Sequence, residues 1–417
     1  MTNVCTESIP SPKNVANSRW CRGAGLCLAL SALWTVSIGR WATAADPAEV
    51  SADRSARLAP PNNDPRPRLI IPDRFPAVSN PQIPAYARAA AARADNTPAD
   101  NPITDAGAFL GRALFYDTAL SRDGNVSCAS CHQQSLAFTD GRRVSVGHDG
   151  REVVRNSMPL VNLRYQATGA FFWDHRAETL EDQVLEPIRH PAEMGHTIST
   201  LVGQLQSDPV YRDLFAAAFG TPEVTRDRVA KSLAQFLRSI VSFGTRYDIG
   251  RDQVAGVLDP FPNYTALENE GKQIFFDFKC ADCHLPDING GPQSAFFQTV
   301  ELLNNGIDID DDAADPGRGG VTGKKTDNGR FKSSSLRNID QTGPYMHDGR
   351  FVTVNSVIEH YNWSVKPVEN LDPRLSEFTV NGMALPETKK TALESFLSTL
   401  TDHDLLEDPR FADPWVR

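Results

Sequence analysis

Two five-residue strings constrain this chain more than anything else in it: Cys128-Ala129-Ser130-Cys131-His132 and Cys280-Ala281-Asp282-Cys283-His284. Each reads C-x-x-C-H, the attachment pattern of c-type haem. Two thiols add to the vinyl groups, and the next histidine supplies an axial imidazole to the iron. A redox C-x-x-C pair or half of a zinc site would leave the histidine after both pairs unexplained. Two covalent haem c groups are the expectation, so the chain must build two pockets to hold them.

Each motif follows a helical pattern. Phe109, Leu110, Ala113, Leu114 and Phe115 recur at helical spacing, with Asp105 near the start. A second such pattern, 267–276, leads into the second motif. Gly111-Arg112-Ala113-Leu114-Phe115 and Gly271-Lys272-Gln273-Ile274-Phe275 look like a repeat, which implies two copies of a small helical haem unit. Further helices are predicted at 180–185, 199–219, 225–242 and 389–400. The third of these carries Val229, Leu233, Phe236, Leu237 and Ile240 on one face, which reads as plain core. No β-rich period is present. The expected fold is mainly α, two cytochrome c-type haem domains packed together, at 102–255 and 256–417. Their boundary is expected in the Gly/Pro-bearing segment 250–264.

Residues 1–45 read as a signal peptide. Lys13, Arg19 and Arg22 precede an apolar run over 23–39, and the small residues Ala42-Thr43-Ala44-Ala45 follow it. An uncleaved membrane anchor is the alternative. Of seven cysteines, Cys5, Cys21 and Cys27 lie in this leader, and the four others are the haem thiols. Haem c is attached outside the cytoplasmic membrane in bacteria. Leader and motifs therefore agree on the periplasm, with no stable membrane insertion after cleavage. Residues 46–101, rich in Pro, Ala, Asp and Arg, are expected to form a flexible tether or an irregular strap, with a short helix over 85–94. The net charge of −10 argues against nucleic acid or anionic membrane as a partner. It would suit a basic electron donor, though solubility explains it as well.

The segments RNSMPLVNL, FFWDHRAETLEDQ and EPIRHPAEM, between Arg155 and Met194, and the later RFKSSSLRNIDQTGPYMHDGRF complete the pattern. Together with the haem motifs they resemble the bacterial dihaem cytochrome c peroxidase / MauG superfamily over residues 103–400. The resemblance implies that His132 is the proximal ligand of the N-terminal, peroxide-reacting haem and that His284 ligates the C-terminal one. It implies a distal pair in Gln183 and Glu193, a tryptophan between the haems in Trp173, and Ca²⁺ held near Asn156, Thr342 and Pro344. Chemically, a carboxylate can shuttle the peroxide proton, an amide can orient the peroxide, and oxygen donors suit Ca²⁺. On residues alone, Glu193 reads as a solvated helix-end charge and Trp173 as core.

The sixth ligand of the second haem separates the subfamilies. The peroxidases place a methionine there, a soft thioether that raises the potential. The matching position here is Tyr361, the MauG-type pattern, and a hard phenolate favours the oxidised iron. Met346, His360 and Met383 are competing ligands. His148 falls where the peroxidases carry a histidine that caps the first haem at rest; a surface loop is its other reading. Asp308 to Asp312 read as a solvated acidic loop, since the glycine and closing glutamate of an EF-hand are missing.

The expected function is a periplasmic dihaem oxidoreductase that reacts with H₂O₂ and oxidises Trp or Tyr of a partner protein, as MauG-like enzymes do. The alternative is a cytochrome c peroxidase that reduces H₂O₂ to water with electrons from a small cytochrome or cupredoxin. A non-catalytic electron carrier is a third reading, which an intact Gln183/Glu193 pair disfavours.

Overall fold

The computed structural model describes residues 57–58, 67–286, 295–308 and 315–416. The leader with its three cysteines and most of the acidic 308–312 loop lie outside these residues. Among the described residues no helix is long and apolar enough to cross a membrane.

Two helix pairs frame the two halves. In the first, Asp105–Tyr116 packs on Arg226–Ser239; in the second, Ala266–Asp277 packs on Glu387–Ser398. Three of the four framing helices start where a threonine cap dictates. The Thr104 hydroxyl accepts from the Gly107 N–H, Thr225 accepts from Arg228, and Thr265 with Glu268 forms a capping box.

The repeat seen in the sequence holds at atomic detail. A Cβ on Gly111 would sit 2.0 Å from the Ser232 carbonyl oxygen, and one on Gly271 would sit 1.8 Å from that of Ala392. Four residues on, Phe115 meets Phe236 at 5.2 Å and Phe275 meets Phe396 at 5.3 Å. Every residue in one set lies 160 positions before its counterpart. Glycine is required at each crossing because only a bare Cα lets the partner backbone come so close.

Around these pairs sit two apolar cores, one running from Leu69 to Ile240 and one from Tyr247 to Leu400. The hand-over thus falls ahead of the expected 250–264 segment. The span 256–417 is also divided: Leu405 and Phe411 join the first core. The Arg112 Nε donates to the Ala412 carbonyl at 2.6 Å, and the Trp415 indole N–H donates to Ala113 at 3.0 Å. Strand Trp415–Val416 pairs antiparallel with Arg68–Ile71.

The flexible-tether reading of 46–101 does not hold for residues 67–101, which form a strap. The 85–94 segment is helical, a 3₁₀ turn followed by Arg88–Ala94. Ala87, Ala90, Ala91 and Ala94 are buried against Tyr165, Phe243 and Phe296, apolar contact enough to offset the ordering cost. The predicted 199–219 helix is two helices, Ile198–Ser207 and Pro209–Phe219. Pro209 lacks the N–H needed to continue the first, and Asp208 caps the second by accepting from Val210 at 2.9 Å.

Candidate active site

Cys128–Cys131 is a single helical turn, closed by a reciprocal cap between Ser127 and Ser130. It places both thiols and His132 on the wall of a mostly apolar cavity of about 500 Å³. Just beyond it, Ala137 and Phe138 both take positive φ. That tight reversal brings the Phe138 carbonyl to 2.8 Å from His132 Nδ1. Nδ1 therefore carries the proton, and Nε2 keeps the lone pair an iron ligand needs. Ser157 donates to the Cys131 carbonyl at 2.6 Å and sits 3.3 Å from the same Nδ1.

The second motif, helix Cys280–His284, lines another cavity, of about 230 Å³. Here Ser333 lies 3.4 Å from His284 Nδ1, as Ser157 does for His132. Burial lowers the pKa of both ring systems, that of His284 to about 4. Both imidazoles are neutral at physiological pH, the ligating form. Burial also pushes Cys128 and Cys280 up to about 12, and Cys131 and Cys283 up to about 11. That is the opposite of the activated thiolate in a redox C-x-x-C pair. Among the described residues no three His, Cys, Asp or Glu side chains converge on a metal-ion site. Two neutral thiols and a fixed imidazole on an apolar cavity, twice over, fit covalent haem.

Gln183 and Glu193 both line the first cavity. The Gln183 Oε1 is buried with no hydrogen-bond partner, an acceptor left free toward whatever occupies the cavity. Glu193 is half-buried, with its Oε1 3.4 Å from His190 Nδ1. Desolvation raises its pKa above the usual carboxylate range; His190 and Arg176 partly offset this.

His148 is close by but does not line that cavity. Its ring is fully enclosed, with Nδ1 2.6 Å from an Asp123 carboxylate oxygen and Nε2 3.2 Å from the Pro191 carbonyl. The site expectation for His148 as a cap is not what this conformation presents. A ring with both nitrogens held cannot also reach into the cavity.

Trp173, Asn156, Pro159 and Lys332 line both cavities and form the seam between them. The Trp173 indole N–H donates to the Asn156 carbonyl at 2.9 Å. The Asn156 amide nitrogen donates to the carbonyls of Arg142 and Arg143 at 3.0 and 3.2 Å, leaving its Oδ1 as the free acceptor. Thr342 and Pro344 line the second cavity, as does Asn156.

Tyr361 lies on a one-turn π-helix, His360–Ser364, and lines the second cavity with Met346 and Met383. Burial pushes its phenol up to about 12. The Asn305 amide donates to the Tyr361 hydroxyl oxygen and to the Met346 sulfur, at 3.5 Å each. His360 is turned away: its Nε2 donates to the Asn305 carbonyl at 3.0 Å. Asn305 and Asp123 were not legible as site residues, because nothing local in the sequence marks them.

A family model for the di-haem cytochrome c peroxidases matches residues 105–253. The chain is 33% identical over 370 residues to the methylamine utilization protein MauG of Paracoccus denitrificans, covering 75% of this chain and 93% of that one. It is 34% identical over 255 residues to a cytochrome c551 peroxidase of Nitrosomonas europaea, covering 60% and 71%. Among solved structures, a MauG-like protein associated with microbial copper homeostasis superposes with a TM-score of 0.68 at 32% identity, over 80% of this chain and 99% of that one. The diheme peroxidase BthA of Burkholderia thailandensis, at 23% identity and a TM-score of 0.59 over 73% and 86%, shares the fold.

Proposed function

Since the chain belongs to the dihaem cytochrome c peroxidase and MauG family, an H₂O₂-dependent oxidoreductase with two haem c groups, we propose that it works in the MauG manner. It reacts with H₂O₂ at the first cavity and oxidises a tryptophan or tyrosine on a partner protein from the second. The observation that carries this reading is Tyr361, which faces the second cavity while His360 is held outside it by Asn305.

Bound haem would supply the electrons for cleaving the peroxide O–O bond. The protein's own groups do the rest. His132 and His284 would hold the two haems through Nε2. Glu193 accepts a proton from peroxide and returns it to the departing oxygen. The unpartnered Gln183 carbonyl orients the peroxide hydrogen. Trp173 closes the gap between the cavities, its indole fixed by the bond to Asn156, as the shared wall through which the two sites exchange charge. His148, tied to Asp123 and Pro191, leaves the first cavity open at rest. Asn156, Thr342 and Pro344 offer the oxygen donors for Ca²⁺. The seat of the enzyme is the periplasm, where the leader would deliver it and haem c is attached.

One observation favours the peroxidase alternative. Met346 and Met383 share the wall with Tyr361, and the Asn305 amide stands as near to the Met346 sulfur as to the phenol. Adding H₂O₂ to the fully oxidised protein without reductant separates the two. Rapid spectral change at both haems supports the MauG-like reading. Reaction only after one haem is reduced overturns it in favour of the peroxidase.

A further inference from the structure

The seam between the two cavities has an internal two-fold character. The Asn156 N–H donates to the His347 carbonyl at 2.8 Å, and the Lys332 N–H donates to the Trp173 carbonyl at 2.8 Å. Trp173 sits in a hairpin closed by the Phe171–Ala177 bridge, and His347 in one closed by Tyr345–Phe351. Ser157 and Ser333, one residue further on, both touch the nearby histidine of a haem motif. Asn156 and Lys332 are therefore counterparts, each on the wall of both cavities.

Asn156 is a neutral amide whose nitrogen is held by the carbonyls of Arg142 and Arg143. Lys332 is a cation only 7% exposed, and among the described residues its ammonium has no hydrogen-bond or ion-pair partner. The acids around it are taken. Asp174 is bound by Arg155 at 2.6 Å and Arg176 at 3.2 Å, and Asp315 by Arg155 at 2.7 Å. Arg318 adds a further cation, donating to the carbonyls of Asp174 and His175. The neighbouring His175 is held neutral, its Nε2 buried and without a partner. The seam is thus short of negative charge. A buried, solitary ammonium is costly unless an anion joins it, and burial alone already pulls Lys332 down to about 8.

We propose that Lys332 is a fixed counter-cation for the carboxylate side chains of bound haem in the seam, and that it sets the reduction potential there. The inference rests on both cavities holding haem. Haem supplies the one chemistry that the geometry lacks, a carboxylate brought in with the group that fills the cavity. Removing the ammonium leaves that carboxylate uncompensated beside the iron, which favours the oxidised state.

The test is spectroelectrochemical titration of the full-length dihaem protein across neutral pH, for wild type, Lys332→Met and Lys332→Arg. Lys332→Met conserves volume and removes the charge. With two haems attached, it should show a lower midpoint potential at one haem or both, and a new pH dependence as the freed carboxylate titrates. Lys332→Arg should keep the wild-type potentials and pH profile. Unchanged potentials in Lys332→Met would overturn the proposal, as would an equal shift in Lys332→Arg. Should Lys332→Met fail to fold, Lys332→Gln takes its place, with the same lowering of potential expected and an unchanged potential overturning the proposal. A haem count below two per chain would fall on the functional reading instead.

Discussion

The backbone N–H of His148 donates to the carbonyl of Glu193 at 2.7 Å. The two loops could not approach so closely with ordinary residues. A Cβ on Gly147 would lie 1.9 Å from the Ala192 carbonyl, and one on Gly195, whose φ is +60°, would lie 2.3 Å from His148 Nε2. Both ring nitrogens of His148 face oxygen atoms, of Asp123 and of the Pro191 carbonyl, so the ring clasps the loop that carries Glu193. If His148 is this clasp, His148→Ala loosens Glu193 and slows the reaction of the diferric protein with H₂O₂. If it is instead a cap on the first iron, the same variant opens the site and speeds it. Stopped-flow mixing reads the sign.

Glu193→Gln separates chemistry from stability. The amide cannot shuttle the proton, so the peroxide reaction should slow by roughly 10²- to 10⁴-fold with both haems still attached. An unaltered rate would remove Glu193 from the mechanism. In wild type the rate should rise with pH through the raised pKa of Glu193, as the carboxylate base forms, and the variant should lose that limb. Stability moves the other way. A carboxyl whose pKa is raised on folding binds more protons folded than unfolded, so it favours the fold at low pH and opposes it once ionised. Glu193→Gln should therefore melt higher than wild type at neutral pH, by calorimetry.

Tyr361→Met exchanges a hard anionic donor for a soft neutral one. If Tyr361 ligates the second iron, the potential of that haem rises and its visible spectrum changes. A variant with wild-type potential and spectrum would assign the ligand to Met346 or Met383.

The helix crossings give a paired stability test. Gly111→Ala and Gly271→Ala each force a methyl into a partner backbone and should destabilise by about 1–3 kcal/mol or more. Gly203 lies in the Ile198–Ser207 helix with open space where a Cβ would go. Gly203→Ala should stabilise by roughly 0.5–1 kcal/mol. Urea denaturation of the three variants checks both directions.

What was legible in the sequence was what is local in it. The two haem turns, their leading helices and the Gly111/Gly271 repeat are each encoded within a dozen or so residues. The seam escaped because its repeat runs in a second register: Asn156 and Lys332 lie 176 positions apart, whereas Gly111 and Gly271 lie 160 apart. R-N-S at 155–157 set against F-K-S at 331–333 is the signal that could have exposed Lys332. His148 escaped for another reason: its side-chain partners Asp123 and Pro191 lie 25 and 43 residues away. Position in a motif cannot say which way such a ring points. The 199–219 break, by contrast, was readable from Pro209.

The return of residues 403–416 to the first core bears on how the molecule is assembled. Phe411 and Trp415 pack beneath the helix that leads to Cys128, and strand 415–416 zips to strand 68–71. A chain emerging from its N-terminus can gather most of the first core early, yet it lacks these closing pieces until the second half has been made. The Asp105–Tyr116 helix therefore lacks its Ala412 and Trp415 partners until the second half has been made, so the first core is completed by a stretch that comes after the second.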